Sequence, residues 1–145
     1  MSPSSMSSTF TIRNPPYTYF HLSLQQLPLP TQQNQAQQEK EQMENLDDVR
    51  ARSYLFAAMQ QYLGLTGTAI PIDILKVESV ERRETSSAPH VWIRVPRDDE
   101  VAVTAALAQW VGARGVSLRI EERGCWLGGL LVNDEDEKRL WSMER

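Results

Sequence analysis

Between Leu63 and Ile70 the chain passes from a helical pattern to a strand pattern through Gly64-Leu65-Thr66-Gly67-Thr68-Ala69, with two glycines and no charged side chain. A charge-free connection of this kind lies against protein on at least one side, so the helix before it and the strand after it belong to one packed unit. Glycine loops that hold phosphate run strand, loop, helix, because the anion sits on free N–H groups at a helix N-terminus. Here the order is reversed, and phosphate at Gly64 would face the carbonyl end of a helix, where the macrodipole is unfavourable. Gly64 instead reads as a left-handed C-cap, with Leu65 folding back as the hydrophobic partner of the stop. Gly67 then permits a second tight bend, and Pro71 limits where the following strand can donate hydrogen bonds. Were a ligand to sit at the 64–68 turn, the chain would be a small-molecule regulatory domain.

A length of 145 residues suits one ordinary domain and is short for two. The apolar side chains are concentrated after residue 46, which puts the folding unit at roughly 100 residues. No apolar run is long enough to span a bilayer as a helix. The serine-rich residues 1–9 lack the basic and apolar regions of a signal peptide, which points to an intracellular protein. Cys125 is the single cysteine, which excludes an internal disulfide and a multi-cysteine zinc site. A net charge of −4 counts against a chain that grips nucleic acid unaided, since that affinity rests on neutralising phosphates. Residues 50–120 carry nine basic and seven acidic side chains, against two and five in residues 1–49 and four and seven in residues 121–145. The middle is mildly positive and both ends are negative.

In chain order, the prolines after Asn14 give an extended entry. Tyr17, Tyr19, His21 and Ser23 then alternate with Thr18, Phe20, Leu22 and Leu24 in a half-buried first strand. Residues 25–44 are glutamine-rich, with Pro28 and Pro30 and little to bury, and read as a disordered insertion with at most a helical stub at 36–44. Asn45 or Asp47 caps a first helix whose buried stripe is Ala51, Leu55, Ala58, Met59 and Tyr62. A second strand over 74–80 points Leu75 and Val77 inward, and Lys76 and Glu78 outward. Residues 81–89 form a polar hairpin loop. Val91, Ile93 and Val95 face inward on a third strand, with His90, Trp92 and Arg94 outward, and Pro96 ends it. Asp98, Asp99 and Glu100 open a second helix with the stripe Val101, Ala105, Ala108 and Val111, closed by Gly112 and Gly115. Val116, Leu118 and Ile120 mark the fourth strand. Residues 1–9 are expected to be disordered, residues 10–131 to form a single domain and residues 132–145 an acidic tail.

Strand, helix, strand, strand, helix, strand is the βαββαβ order of a ferredoxin-like α+β sandwich, a four-stranded antiparallel sheet with two helices on one face. The first and third strands then lie side by side in the centre. Their outward residues make one patch, with Tyr17, Tyr19 and His21 beside Trp92 and Arg94, flanked by Lys76 and Arg119. RNA-recognition domains stack bases on aromatic residues of the same two strands, which makes a free-standing single-stranded RNA-binding domain one reading. The third strand here, His90-Val91-Trp92-Ile93-Arg94, lacks their signature of alternating glycine and aromatic residues. A second reading is a protein partner, since Tyr, Trp and Arg are enriched at interface hot spots. In a third, the Trp126-Leu127 segment folds over the face.

Catalysis finds little support. His21 and His90 have no adjacent nucleophile, Asp98, Asp99 and Glu100 form a helix cap, Cys125 has no triad signature, and no metal-ligand spacing stands out.

Three segments carry a resemblance. They are Phe10-Thr11-Ile12-Arg13-Asn14-Pro15-Pro16-Tyr17-Thr18-Tyr19, then Tyr62-Leu63-Gly64-Leu65-Thr66-Gly67-Thr68-Ala69-Ile70-Pro71-Ile72-Asp73-Ile74-Leu75, then Val91-Trp92-Ile93-Arg94-Val95-Pro96. Together they resemble the small fungal protein subunit of ribonuclease P and RNase MRP, the Pop-eight-like family related to the Pop-five subunit. The likeness spans residues 10–120 apart from the glutamine insertion, and its motifs are structural. It implies a noncatalytic subunit of a nuclear, nucleolar ribonucleoprotein with no cofactor and no membrane. The RNA of that assembly removes 5′ leaders from precursor tRNA, or processes rRNA precursors in the MRP form. It also implies contact with that RNA and with other protein subunits, including a Pop-five-type heterodimer.

Overall fold

The computed structural model describes residues 14–27, 45–80, 88–112 and 115–128. In order these form β1 (Tyr17–Gln26), α1 (Asp48–Leu63), the one-turn α2 (Leu65–Thr68), β2 (Asp73–Glu78), β3 (His90–Pro96), a 3-10 turn (Arg97–Asp99), α3 (Glu100–Gln109) and β4 (Val116–Gly124). The strands make one antiparallel sheet in the order β2-β3-β1-β4. Helices α1 and α3 pack side by side on one face of it. This is the expected ferredoxin-like α+β architecture, with α2 as an added turn. The residues assigned to a disordered N-terminus, to most of the glutamine insertion (28–44), to most of the hairpin loop (81–87) and to the acidic tail lie outside the described residues. β1 runs through Gln25 and Gln26, two residues into the glutamine-rich stretch.

Alternation on β1 works as the sequence implies. Thr18, Phe20, Leu22 and Leu24 are buried beneath the helices, joined by Val91, Ile93 and Val95 from β3 and by Val116 and Leu118 from β4. On β2 the alternation breaks. The register slips between Ile74 and Lys76, so Leu75 is the extra residue of a bulge. Leu75 is exposed, and the inward place opposite Ile93 belongs to Ile74. Past the bulge Val77 packs inward, and Lys76 and Glu78 lie opposite Trp92 and His90.

The cap of α1 is Asp47, whose Oδ1 accepts the Arg50 N–H at 2.8 Å. Ala51, Leu55, Ala58 and Met59 are buried as expected. Tyr62 is not, because in the last turn it falls at the edge of the stripe, where it lines a shallow groove with Ala106 and Trp110. The buried residues of α3 are Val103, Ala106 and Leu107, followed by Trp110, whose ring centroid is 5.7 Å from that of Tyr54. Val101, expected at the head of the stripe, is 80% exposed. The helix is apolar on nearly every side, so periodicity selects no face, and the two largest side chains, Leu107 and Trp110, decide it. α3 stops at Gln109. Gly112 and Gly115 belong instead to the turn into β4, where the Gly112 N–H donates to the Val116 carbonyl and Gly115 has φ 84°.

Gly64 has the expected positive φ, at φ 67° and ψ −149°, a region that only glycine visits readily. Its N–H donates to the Gln60 carbonyl at 2.9 Å. No Schellman contact follows, because the chain resumes helical turning at once as α2, which leaves Leu65 83% exposed. Gly67 serves contact rather than a bend. A Cβ there would lie 2.5 Å from the Met59 carbonyl oxygen, so α2 presses on α1 only through a residue without a side chain. Pro71 lies two residues before β2 and outside its ladder, as expected.

The register of α3 is testable. Val103→Ala is expected to cost about 2 kcal/mol of unfolding free energy, from the methyl groups lost and the cavity left, while Val101→Ala costs less than about 0.5. Urea denaturation of both variants measures this, and a larger loss at Val101 than at Val103 would mean the helix is turned the other way.

Candidate interaction face of the sheet

The sheet face opposite the helices gathers all seven residues singled out in the sequence. β1 contributes Tyr17, Tyr19 and His21, β3 contributes Trp92 and Arg94, and Lys76 and Arg119 come from β2 and β4. The register sets Tyr19 opposite Arg94, His21 opposite Trp92, Lys76 opposite Trp92, and Ser23 opposite Arg119. Strand alternation explains their common direction.

The centre of the face is a stack of rings. His21 lies parallel to Trp92, with centroids 4.4 Å apart and an interplanar angle of 5°. His90, two residues before Trp92, has its centroid 4.8 Å from His21. The His21 Nε2 and His90 Nδ1 atoms are 2.7 Å apart, a hydrogen bond in which one ring donates and the other accepts. Lys76 Nζ sits 5.0 Å from the Trp92 centroid. Trp92 is only 3% exposed. It is therefore a packed residue, and a base could not stack on it in this arrangement. Sequence alternation correctly placed Trp92 on this face but could not show that the ring is covered.

The charges on the face are paired. Asp73 Oδ2 accepts from Arg94 Nη2 at 2.7 Å and from Arg94 Nε at 3.0 Å. These hydrogen bonds push the Arg94 guanidinium above its ordinary pKa, so it stays charged. Its Cζ lies 4.3 Å from the Tyr17 ring centroid. Lys76 pairs with Glu78 at 2.5 Å, and Arg119 with Glu121 at 3.7 Å. Glu121 Oε1 also accepts from Ser23 Oγ at 2.5 Å. The sequence reading set Glu78 outward but missed its pairing with Lys76, and it missed the roles of Asp73 and Glu121 and the bond from His21 to His90. Its available signal was the adjacency of β1 and β3, which brings two outward histidines within reach.

Among the described residues no three His, Cys, Asp or Glu side chains gather as metal ligands, and no helix is long and apolar enough to cross a membrane. Cys125 is exposed just past β4. Trp126 is 71% exposed, so it does not cover the sheet face as one reading held. Its indole lies so close over Gly128 that a Cβ there would meet it at 2.9 Å.

These features define a small ferredoxin-like α+β protein whose distinctive surface is a sheet face of stacked rings and paired charges. A family model described as Ribonucleases P/MRP protein subunit Pop8 matches residues 16–110, from the start of β1 to the end of α3. The chain belongs to this family of ribonuclease P/MRP protein subunits. Among solved structures it is similar to a chain in the cryo-EM structure of yeast ribonuclease MRP, with a TM-score of 0.54 and 14% sequence identity over 90% of this chain and 99% of that one. At that identity the likeness is one of fold. A search of curated proteins finds no match.

Burial of Trp92 predicts that Trp92→Ala costs about 3–5 kcal/mol of stability, as for other large buried aromatic residues. A ring waiting in solvent for a nucleic-acid base would cost less than about 0.5. Chemical denaturation of the full chain distinguishes the two.

Proposed function

We propose that this subunit performs no chemistry of its own and supports an RNA-based endoribonuclease by holding proteins and RNA in place. The processes served are removal of tRNA 5′ leaders and maturation of rRNA precursors, in the nucleus and its nucleolus. The direct partner in this reading is a Pop-five-type subunit of similar fold, and the sheet face meets protein in preference to RNA. One observation carries the preference: among the described residues Lys76, Arg94 and Arg119, the Lys and Arg side chains of the face, are each held by a carboxylate of the same face. RNA affinity comes from cations that exchange their counterions for phosphate, and cations already bridged to carboxylates serve that poorly. Family membership supports the assignment to the assembly.

The purified chain is expected to bind precursor tRNA no tighter than about 1 µM at physiological salt. Depleting it from cells should make 5′-extended tRNA precursors accumulate, and unchanged tRNA processing would count against the proposal. Submicromolar RNA affinity that disappears in a folded Trp92→Phe variant would favour the free-standing RNA-binding reading instead. A fluorescent fusion found outside the nucleus would overturn the proposed location.

A further inference from the structure

A groove runs between α1 and the connection from α2 to β2. Leu55, Phe56 and Met59 of α1 line it on one side and Ile70 and Ile72 on the other, with the buried Gly67 among them. Its volume is about 160 Å³. That matches cavities that hold a single aromatic ring. Phe56 is 51% exposed at the groove, and large apolar side chains left in water around a concave apolar surface mark binding sites. The absent side chain of Gly67 lets α2 close against Met59, so the groove is built into the backbone.

Among the described residues Arg52 is the one charged residue lining the groove. It lies one helical turn before Phe56, and so on the same side of α1. Among the described residues Lys76, Arg94, Arg119 and Arg123 each have a carboxylate partner, whereas Arg52 has none. An apolar slot beside an unpaired guanidinium fits a protein segment carrying a large apolar side chain and a neighbouring carboxylate. Nucleic acid fits less well, since the groove offers a single cation for phosphate and, apart from Arg52 and Thr68, only apolar walls to the polar edges of a base.

We propose that this groove is a docking site for another protein, which inserts one large aliphatic or aromatic side chain between Phe56 and Ile72 and sets an Asp or Glu against Arg52. The proposal rests on the chain working as an assembled subunit. It concerns the helix flank, separate from the sheet face.

The experiment uses the full-length tagged chain in its own cells, with a benzophenone amino acid in place of Phe56, irradiated before the assembly is recovered. Recovery of ribonuclease P/MRP RNA tests the subunit reading, and the peptide crosslinked at position 56 tests the groove. The expected adduct is a peptide of a different protein in which a large apolar residue stands next to an Asp or Glu. Adding Arg52→Glu should lower its yield about tenfold or more, and changing the partner's acidic residue to Lys should restore it. Val101→Glu, an exposed change on α3, should leave the yield unaltered. RNA recovered with no protein adduct overturns the groove while the subunit reading stands, and so does an adduct to RNA or to a second copy of this chain. An adduct that ignores Arg52→Glu overturns the acidic partner. The expected adduct without ribonuclease RNA upholds the groove and overturns the subunit reading.

Discussion

β1 is hydrogen-bonded along both edges, to β3 on one side and β4 on the other, and its register assigns a side to every residue of the central sheet. Because alternate residues point to opposite faces, a slip of one position would send Phe20, Leu22 and Leu24 into solvent and bury Tyr19 and His21 under the helices. Burying Phe20 and Leu22 is worth roughly 2–3 kcal/mol each, so the wrong register is several kcal/mol less stable. Both ends of the strand are also tied down. The Arg97 N–H donates to the Pro16 carbonyl at 3.1 Å, and the Leu27 N–H donates to the Gly115 carbonyl at 2.7 Å. The apolar residues beneath the sheet thus hold the stack of His21 and Trp92 above it in place.

The two bulges adjust this frame. One interrupts the pairing of β1 with β4 between His21 and Leu22, and the other interrupts the pairing of β2 with β3 between Ile74 and Lys76. On β2 the bulge lets Asp73 lie opposite Arg94 and Lys76 opposite Trp92, with Ile74 and Val77 still packed below. A strictly alternating strand with Ile74 inward would have sent Lys76 toward the core. The ion pair of Arg94 with Asp73 and the contact of Lys76 with Trp92 therefore both depend on one extra residue, Leu75.

This shows which parts of the molecule could be read from the sequence. The strands were legible because side-chain direction follows from a period of two, and β1 and β3 alternate cleanly. α1 was legible because polar and apolar residues contrast along it. α3 was not, since a helix apolar all round takes its orientation from what it packs on. Gly64 could be recognised from its place after a helix. The need for glycine at position 67 comes from the Met59 carbonyl eight residues away, a contact no local pattern expresses. At the face, direction was legible while cover and pairing were not. Arg94 finds Asp73 across 21 residues and Ser23 finds Glu121 across 98, distances that only the folded register closes.

The two candidate surfaces differ in what a partner must displace. On the sheet face Asp73 already takes the Nε and Nη2 donors of Arg94, so a phosphate would either displace that carboxylate or share the guanidinium with it, and in either case the net free energy gained is small. What the face does offer is a fixed pattern of alternating sign, and such patterns discriminate among partners and set orientation more than they add affinity. Among the described residues the groove beside Arg52 has no ion pair to break. A protein partner there would gain apolar burial and, among the described residues, a first carboxylate for the Arg52 guanidinium. The groove is thus the surface suited to supply affinity, and the sheet face the one suited to supply orientation.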